Sequence, residues 1–101
     1  MADILYIVVP CYNEEEVLPE TSRRLRAKLE GLMAAGRISE QSRVLFVNDG
    51  SRDKTWNIIE MLHGECPLFS GIDLSRNRGH QNALLAGLMI SADRCDMAIS
   101  M

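Results

Sequence analysis

The chain has 101 residues, 47% of them apolar and 25% charged, with a net charge of −3. This is soluble globular composition, enough for one domain with a modest core. The negative balance excludes a sequence-independent grip on nucleic acid, which needs surplus Lys and Arg against phosphate, and no run approaches the ~20 apolar residues of a membrane span.

Cys11, Cys66 and Cys95 are odd in number and far apart, with no His at metal spacing, so free thiols in a reducing cytoplasm are expected. Met1-Ala2-Asp3 lacks a basic flank and the apolar run that follows is short, so no signal peptide is expected.

In chain order, Ile4 to Val9 is a near-continuous β-branched run that suits a strand covered on both faces. Pro10 is expected to end its hydrogen bonding. Cys11 to Glu16 then reads as a polar turn, with Asn13 as the N-cap of a helix and Glu15 and Glu16 suiting the positive end of its dipole. From Val17 to Ala35, Leu18, Leu25, Leu29, Leu32 and Met33 recur at helical spacing against a basic outer face. Pro19 falls within the first turn and Gly36 is the stop, before a polar loop from Ser39 to Ser42.

Val44 to Val47 predicts a buried second strand that stops at a turn, Asn48-Asp49-Gly50. Ser51 and Asp53 are placed to cap a helix carrying Trp56, Ile58, Ile59 and Leu62. His63 to Pro67 predicts a loop and Leu68 to Leu74 a third strand. A basic turn, Ser75 to His80, opens a helix whose apolar face is Ala83, Leu84, Leu85, Gly87, Leu88 and Ile90; Gly87 inside it signals close packing. Asp93 to Asp96 reads as a turn and Met97 to Met101 as a fourth strand, and the six methionines as core filler.

Alternating apolar strands and helices imply an α/β fold: a Rossmann-like parallel sheet of about four strands, right-handed crossovers and helices on both faces. Three polar turns then share the carboxyl edge of the sheet, where ligands settle in such folds. Two are acidic and one basic. Asp49, alone at its strand end, is the candidate ligand contact, and the combination suits a nucleotide: carboxylates for base or ribose, an aromatic ring for stacking, Arg or a helix N-terminus for phosphate. There is no Gly-x-Gly-x-x-Gly and no Gly-x-x-x-x-Gly-Lys-Ser/Thr, which argues against a dinucleotide site and a P-loop.

Val8-Val9-Pro10-Cys11-Tyr12-Asn13-Glu14-Glu15 and Val47-Asn48-Asp49-Gly50-Ser51-Arg52-Asp53-Lys54-Thr55 resemble the two opening motifs of the family 2 glycosyltransferases with a GT-A fold. A third block, Leu74 to Ala83 running on through Gly87, resembles the branch that transfers sugars to polyprenyl phosphates, such as bactoprenol glucosyltransferases and dolichol-phosphate mannose synthases. The resemblance implies that residues 1–101 are the nucleotide-sugar-binding part of a larger domain, cut before its metal motif. Pro10, Tyr12 and Glu14 would line the pocket for base and ribose, and Asp49 would hydrogen-bond the base. Asn13, Gly50 and Ser51 would belong to the same set, although Ser51, like Asp53, also serves to shape its turn. Asn77 and Gly79 would lie near the sugar-diphosphate, with Arg76, Arg78 and His80 as further candidates there.

The resemblance also implies an enzyme that moves a sugar, such as glucose from UDP-glucose, to a polyprenyl phosphate with inversion, on the cytoplasmic face of a membrane, with Mg²⁺ or Mn²⁺ as cofactor. Two departures stand out. Asn48 occupies a position where many relatives carry Asp, and the acid-x-acid metal motif that follows the fourth strand falls beyond Met101. This segment alone is therefore expected to be inactive and soluble, with no catalytic residue and no metal ligand of its own. Its last strand, left as an edge, can pair with a second copy. The competing reading is a small signalling or interaction domain with a receiver-like α/β fold, for which Asn13-Glu14 and Asp73 are poor matches.

Overall fold

The computed structural model describes residues 3–74, 80–92 and 94–100. Its elements run β1 (Leu5–Cys11), α1 (Leu18–Ala34), β2 (Arg43–Asp49), α2 (Thr55–Glu65), β3 (Phe69–Leu74), α3 (His80–Ser91) and β4 (Met97–Ser100). The four strands form one parallel sheet in the order β3-β2-β1-β4.

The period of two along each strand divides the core in two. Leu5, Ile7, Val9 and Cys11 of β1, with Val44 and Phe46 of β2, pack against Leu18, Leu25 and Leu29 of α1 and Ile59 of α2. Val8, Leu45 and Val47 point the other way and meet Ala83 of α3. The expected α/β sheet with helices on both faces is present, α1 and α2 on one side and α3 on the other. Strand order therefore reverses between β1 and β4, the kind of switch point at which open parallel sheets hold ligands.

Several boundaries differ from expectation. Pro10 does not end β1: it pairs with Val47, and Cys11 with Asn48. Among the described residues the β4 pairing reaches Val8, and Pro10 keeps its place in β1 through its pairing with β2. In the same way β2 runs on through Asn48 and Asp49, paired to Asp73 and Leu74, and the turn begins at Gly50, with φ of 67°. α2 continues through Gly64 to Glu65 and ends where Cys66, the residue before Pro67, is extended. Gly36, with φ of 72°, stops α1 as expected.

The Ser39 to Ser42 loop is not wholly solvated: Ser42 is buried and its Oγ accepts the Leu5 N–H at 2.9 Å. α3 is apolar around its circumference. Ala83, Leu84 and Leu88 face the sheet, while Leu85, Met89 and Ile90 are exposed, as are Met97 and Ile99 of β4. Met61, Met89 and Met97 lie at the surface, against the expectation of core filling. Trp56 is partly buried against the α1/α2 core, and Phe69 is buried with its ring 5.7 Å from that of Phe46.

Gly87 meets its expectation. A Cβ there would run into Val8 and Val47 side chains, whereas one at Gly31 in α1 would meet nothing. Gly87→Ala should therefore lower stability by about 1–3 kcal/mol through overpacking, and Gly31→Ala should raise it by about 0.5–1 kcal/mol through helix propensity. Urea unfolding of the two variants would check this; shifts of the same sign would contradict the packing described.

Candidate functional site

The register that sets Cys11 opposite Asn48 brings the β1–α1 turn and the β2–α2 turn side by side. Parity then sorts their residues. Pro10 and Asp49 fall on the α3 face of the sheet with Val8, Leu45 and Val47, whereas Cys11 and Asn48 fall on the α1/α2 face. Asp49 is 3% exposed and already engaged in a polar interaction, so it is not the solitary acid that the sequence suggests. Pro10 is buried, Tyr12 is 42% exposed, and Glu14, Gly50 and Ser51 are half-buried. Ser75 to Gly79, with the candidates Asn77 and Gly79, lie outside the described residues; α3 starts just after them.

Asn13 is not a helix cap. α1 begins only at Leu18, its N-cap Val17 makes no side-chain capping bond, and the Glu14 carbonyl accepts the N–H groups of Val17 and Leu18 at 3.1 and 2.9 Å. Asn13 instead adopts a left-handed backbone (φ 52°), and its Oδ1 accepts the Arg52 N–H at 2.8 Å. Three successive amides of this turn go to side chains of its neighbour. Asn13 N–H donates to Ser51 Oγ at 2.9 Å, Glu14 N–H to Thr55 Oγ1 at 2.8 Å, and Glu15 N–H to Asp53 Oδ2 at 3.2 Å.

Ser51 and Asp53 therefore do less capping than expected. The α2 N-cap is Lys54, with no side-chain bond of its own; Asp53, one residue earlier, accepts the Thr55 N–H at 2.9 Å and the Thr55 hydroxyl. Burial pushes the Asp53 carboxyl up, but the Thr55 hydroxyl and the N–H groups of Thr55 and Glu15 outweigh it and hold the group below the usual carboxylate range. Thr55 itself is fully buried. In the sequence it only closes the second motif, two residues after an Asp at a helix start, with no role of its own to be read.

Asn48 has a local explanation. Its Nδ2 donates to Asp73 Oδ1 at 2.8 Å across the β2–β3 pair. An Asp at 48 would set one carboxylate against another with no donor between them. Cys11 is inert for a related reason: burial first, then the charge of Glu14, pushes its thiol up to about 12. All three cysteines are free. His63 closes α2 onto β3, its Nδ1–H donating to the Phe69 carbonyl at 2.6 Å.

Beside the paired turns an open recess of about 360 Å³ is lined by Asn13, Glu14, Glu15, Glu16, Val17 and Asp53. Its carboxylates favour hydroxyl and N–H donors and disfavour phosphate. A second groove of about 380 Å³ lies between α2 and β3, lined by Trp56, Ile59, Glu60, His63, Ser70 and Gly71.

A sequence profile of Glycosyl transferase family 2 matches residues 6–95. The chain belongs to that family. It is 47% identical over 97 residues to an uncharacterized glycosyltransferase, YkoT, of Bacillus subtilis (strain 168), covering 96% of this chain and 29% of the relative. It is 41% identical over 86 residues to an undecaprenyl-phosphate 4-deoxy-4-formamido-L-arabinose transferase of Shewanella sediminis (strain HAW-EB3), covering 84% and 24%. To the prophage bactoprenol glucosyl transferase homolog of Escherichia coli (strain K12) it is 39% identical over 82 residues, covering 81% and 25%. The chain spans less than a third of the length of each. Membership disfavours the receiver-like alternative.

Family 2 glycosyltransferases generally use a divalent metal ion. Among the described residues no three His, Cys, Asp or Glu side chains converge as a ligand set, and Asp53 and Asp73 already hold protein donors. The described residues do not make a metal site. Among them, too, no helix is long and apolar enough to cross a membrane.

Asn48→Asp should destabilise the chain by about 1–3 kcal/mol, the cost of a buried carboxylate at 48 that has lost its hydrogen bond to the exposed Asp73. Adding Asp73→Asn, which exchanges donor and acceptor, should recover most of it. Urea unfolding of the two single variants and the double would measure this; additive losses would contradict the pairing.

Proposed function

We propose that this chain is the nucleotide-sugar-binding part of a glycosyltransferase that moves a sugar from a nucleoside diphosphate to a polyprenyl phosphate. The observation that carries the reading is the meeting of Pro10 and Asp49 on one face of the sheet, at the carboxyl ends of β1 and β2 beside the switch point, in a chain of this family. Relatives that carry undecaprenyl-phosphate or bactoprenol in their names support the acceptor class.

On this reading the exposed Tyr12 ring packs on the base, Asp49 accepts its N–H, and Glu14 accepts a ribose hydroxyl. Asn13, Gly50 and Ser51 shape the rim. The diphosphate lies away from the carboxylates of residues 14–16, toward the positive end of α3. The acceptor phosphate is already ionised near neutral pH, so the demand for a general base is small, and attack at the anomeric carbon expels the nucleoside diphosphate with inversion. Metal ligands, acceptor contacts and any membrane attachment belong to sequence outside residues 1–101, and the reaction takes place at the cytoplasmic face of a membrane. Donor base and sugar are left open, UDP-glucose being the first to try.

Titration with UDP and with GDP, followed by amide chemical shifts, tests the reading. Shifts at Tyr12, Glu14 and Asp49 are expected with one of the two. Asp49→Asn, which keeps the volume and removes the charge, should weaken that binding by about tenfold, the loss of one charged hydrogen bond. Shifts confined to the groove between Trp56 and Gly71, or none at all, would overturn it.

A further inference from the structure

The turn between β1 and α1 must be held by something other than its own secondary structure. From Tyr12 to Val17 there is no regular element, and Asn13 sits in a left-handed conformation that a non-glycine residue adopts at a cost. In other parallel sheets the amides at this place cradle phosphate. Here those of residues 13, 14 and 15 are taken up by Ser51, Thr55 and Asp53. Thr55 has the central amide and is the only fully buried member of the three. Its hydroxyl works twice, accepting from Glu14 and donating to Asp53. The second bond fixes the direction of the O–H, so that an oxygen lone pair is left facing the Glu14 N–H.

We propose that Thr55 is a positioning residue for the nucleoside subsite: through the Glu14 amide it sets the place of the Glu14 side chain and of the Tyr12 ring two residues earlier. This inference rests on the functional reading above. A consequence is that the amides of this turn are not available to the diphosphate, which is left to other parts of the site.

The test uses two variants of nearly equal bulk. Thr55→Val keeps the buried shape and removes the hydroxyl; Thr55→Ser removes a methyl and keeps it. In the UDP and GDP titration, using whichever nucleotide binds the wild-type chain, Thr55→Val should weaken affinity by about tenfold, while Thr55→Ser should stay within about threefold of wild type. Equal losses in the two variants would mean that packing alone matters, and an unchanged Thr55→Val affinity would mean that the hydroxyl does not; either overturns the inference while leaving the functional reading in place. No binding by wild type overturns the reading itself, and this inference with it. Should Thr55→Val fail to fold, Asp53→Ala frees the Thr55 hydroxyl and the Glu15 amide from a less buried position. It should weaken binding by about threefold or more, and wild-type affinity in that variant would again overturn the inference.

Discussion

The parallel register of β1 against β2 is the constraint on which the rest depends. Sliding it by one residue would turn Val8 and Val9 to the wrong faces and empty both halves of the core. With the register fixed, β1 and β2 end level with one another, and the turns that follow are close enough to exchange four backbone-to-side-chain hydrogen bonds. The rim of the candidate site is therefore built from the same constraint as the core. Burial sets the strands, the strands set the turns, and the turns supply one another's missing partners.

That arrangement divides the acids of the two motifs by task. Asp53 is held in the protein by Thr55 and Glu15, and Asp73 by Asn48. Asp49 lies on the opposite face of the sheet, with Pro10 and on the side that α3 covers. Amphipathic α1 has its own separate charge pairs, Glu20 with Arg23 and Arg24 and Arg26 with Glu30, all exposed and of small energetic weight. Carboxylates that look alike in the sequence thus differ in the face of the sheet on which they lie.

Much of the fold was legible because burial writes itself as periodicity. Four strands, three helices, the parallel sheet with helices on both faces and the tight fit at Gly87 all follow from apolar spacing. The errors lie where a local preference met a tertiary partner. Proline in the sequence suggests a strand end at Pro10, but the β2 partner carries β1 on through Cys11. Asn13 and Ser51 were read as caps for their own helices, yet each bonds across to the other turn, which no single-segment pattern reveals. Thr55 was passed over for the same reason, since its function is visible only once residue 14 lies beside it. The exposed apolar residues of α3 and β4 follow no local rule, and the sequence alone puts Leu85 and Ile90 on one apolar face with Ala83 and Leu88.

The most direct test of the account is where a bound nucleotide lies and which way it points. Intermolecular proton NOEs between UDP or GDP and this chain would show it. The account predicts contacts from base and ribose protons to Tyr12 and Glu14 beside the end of β1, with the phosphate end directed toward the start of α3. Contacts from the base to Trp56 and Gly71, or a ligand turned so that its phosphates approach Glu14 and Glu15, would contradict it.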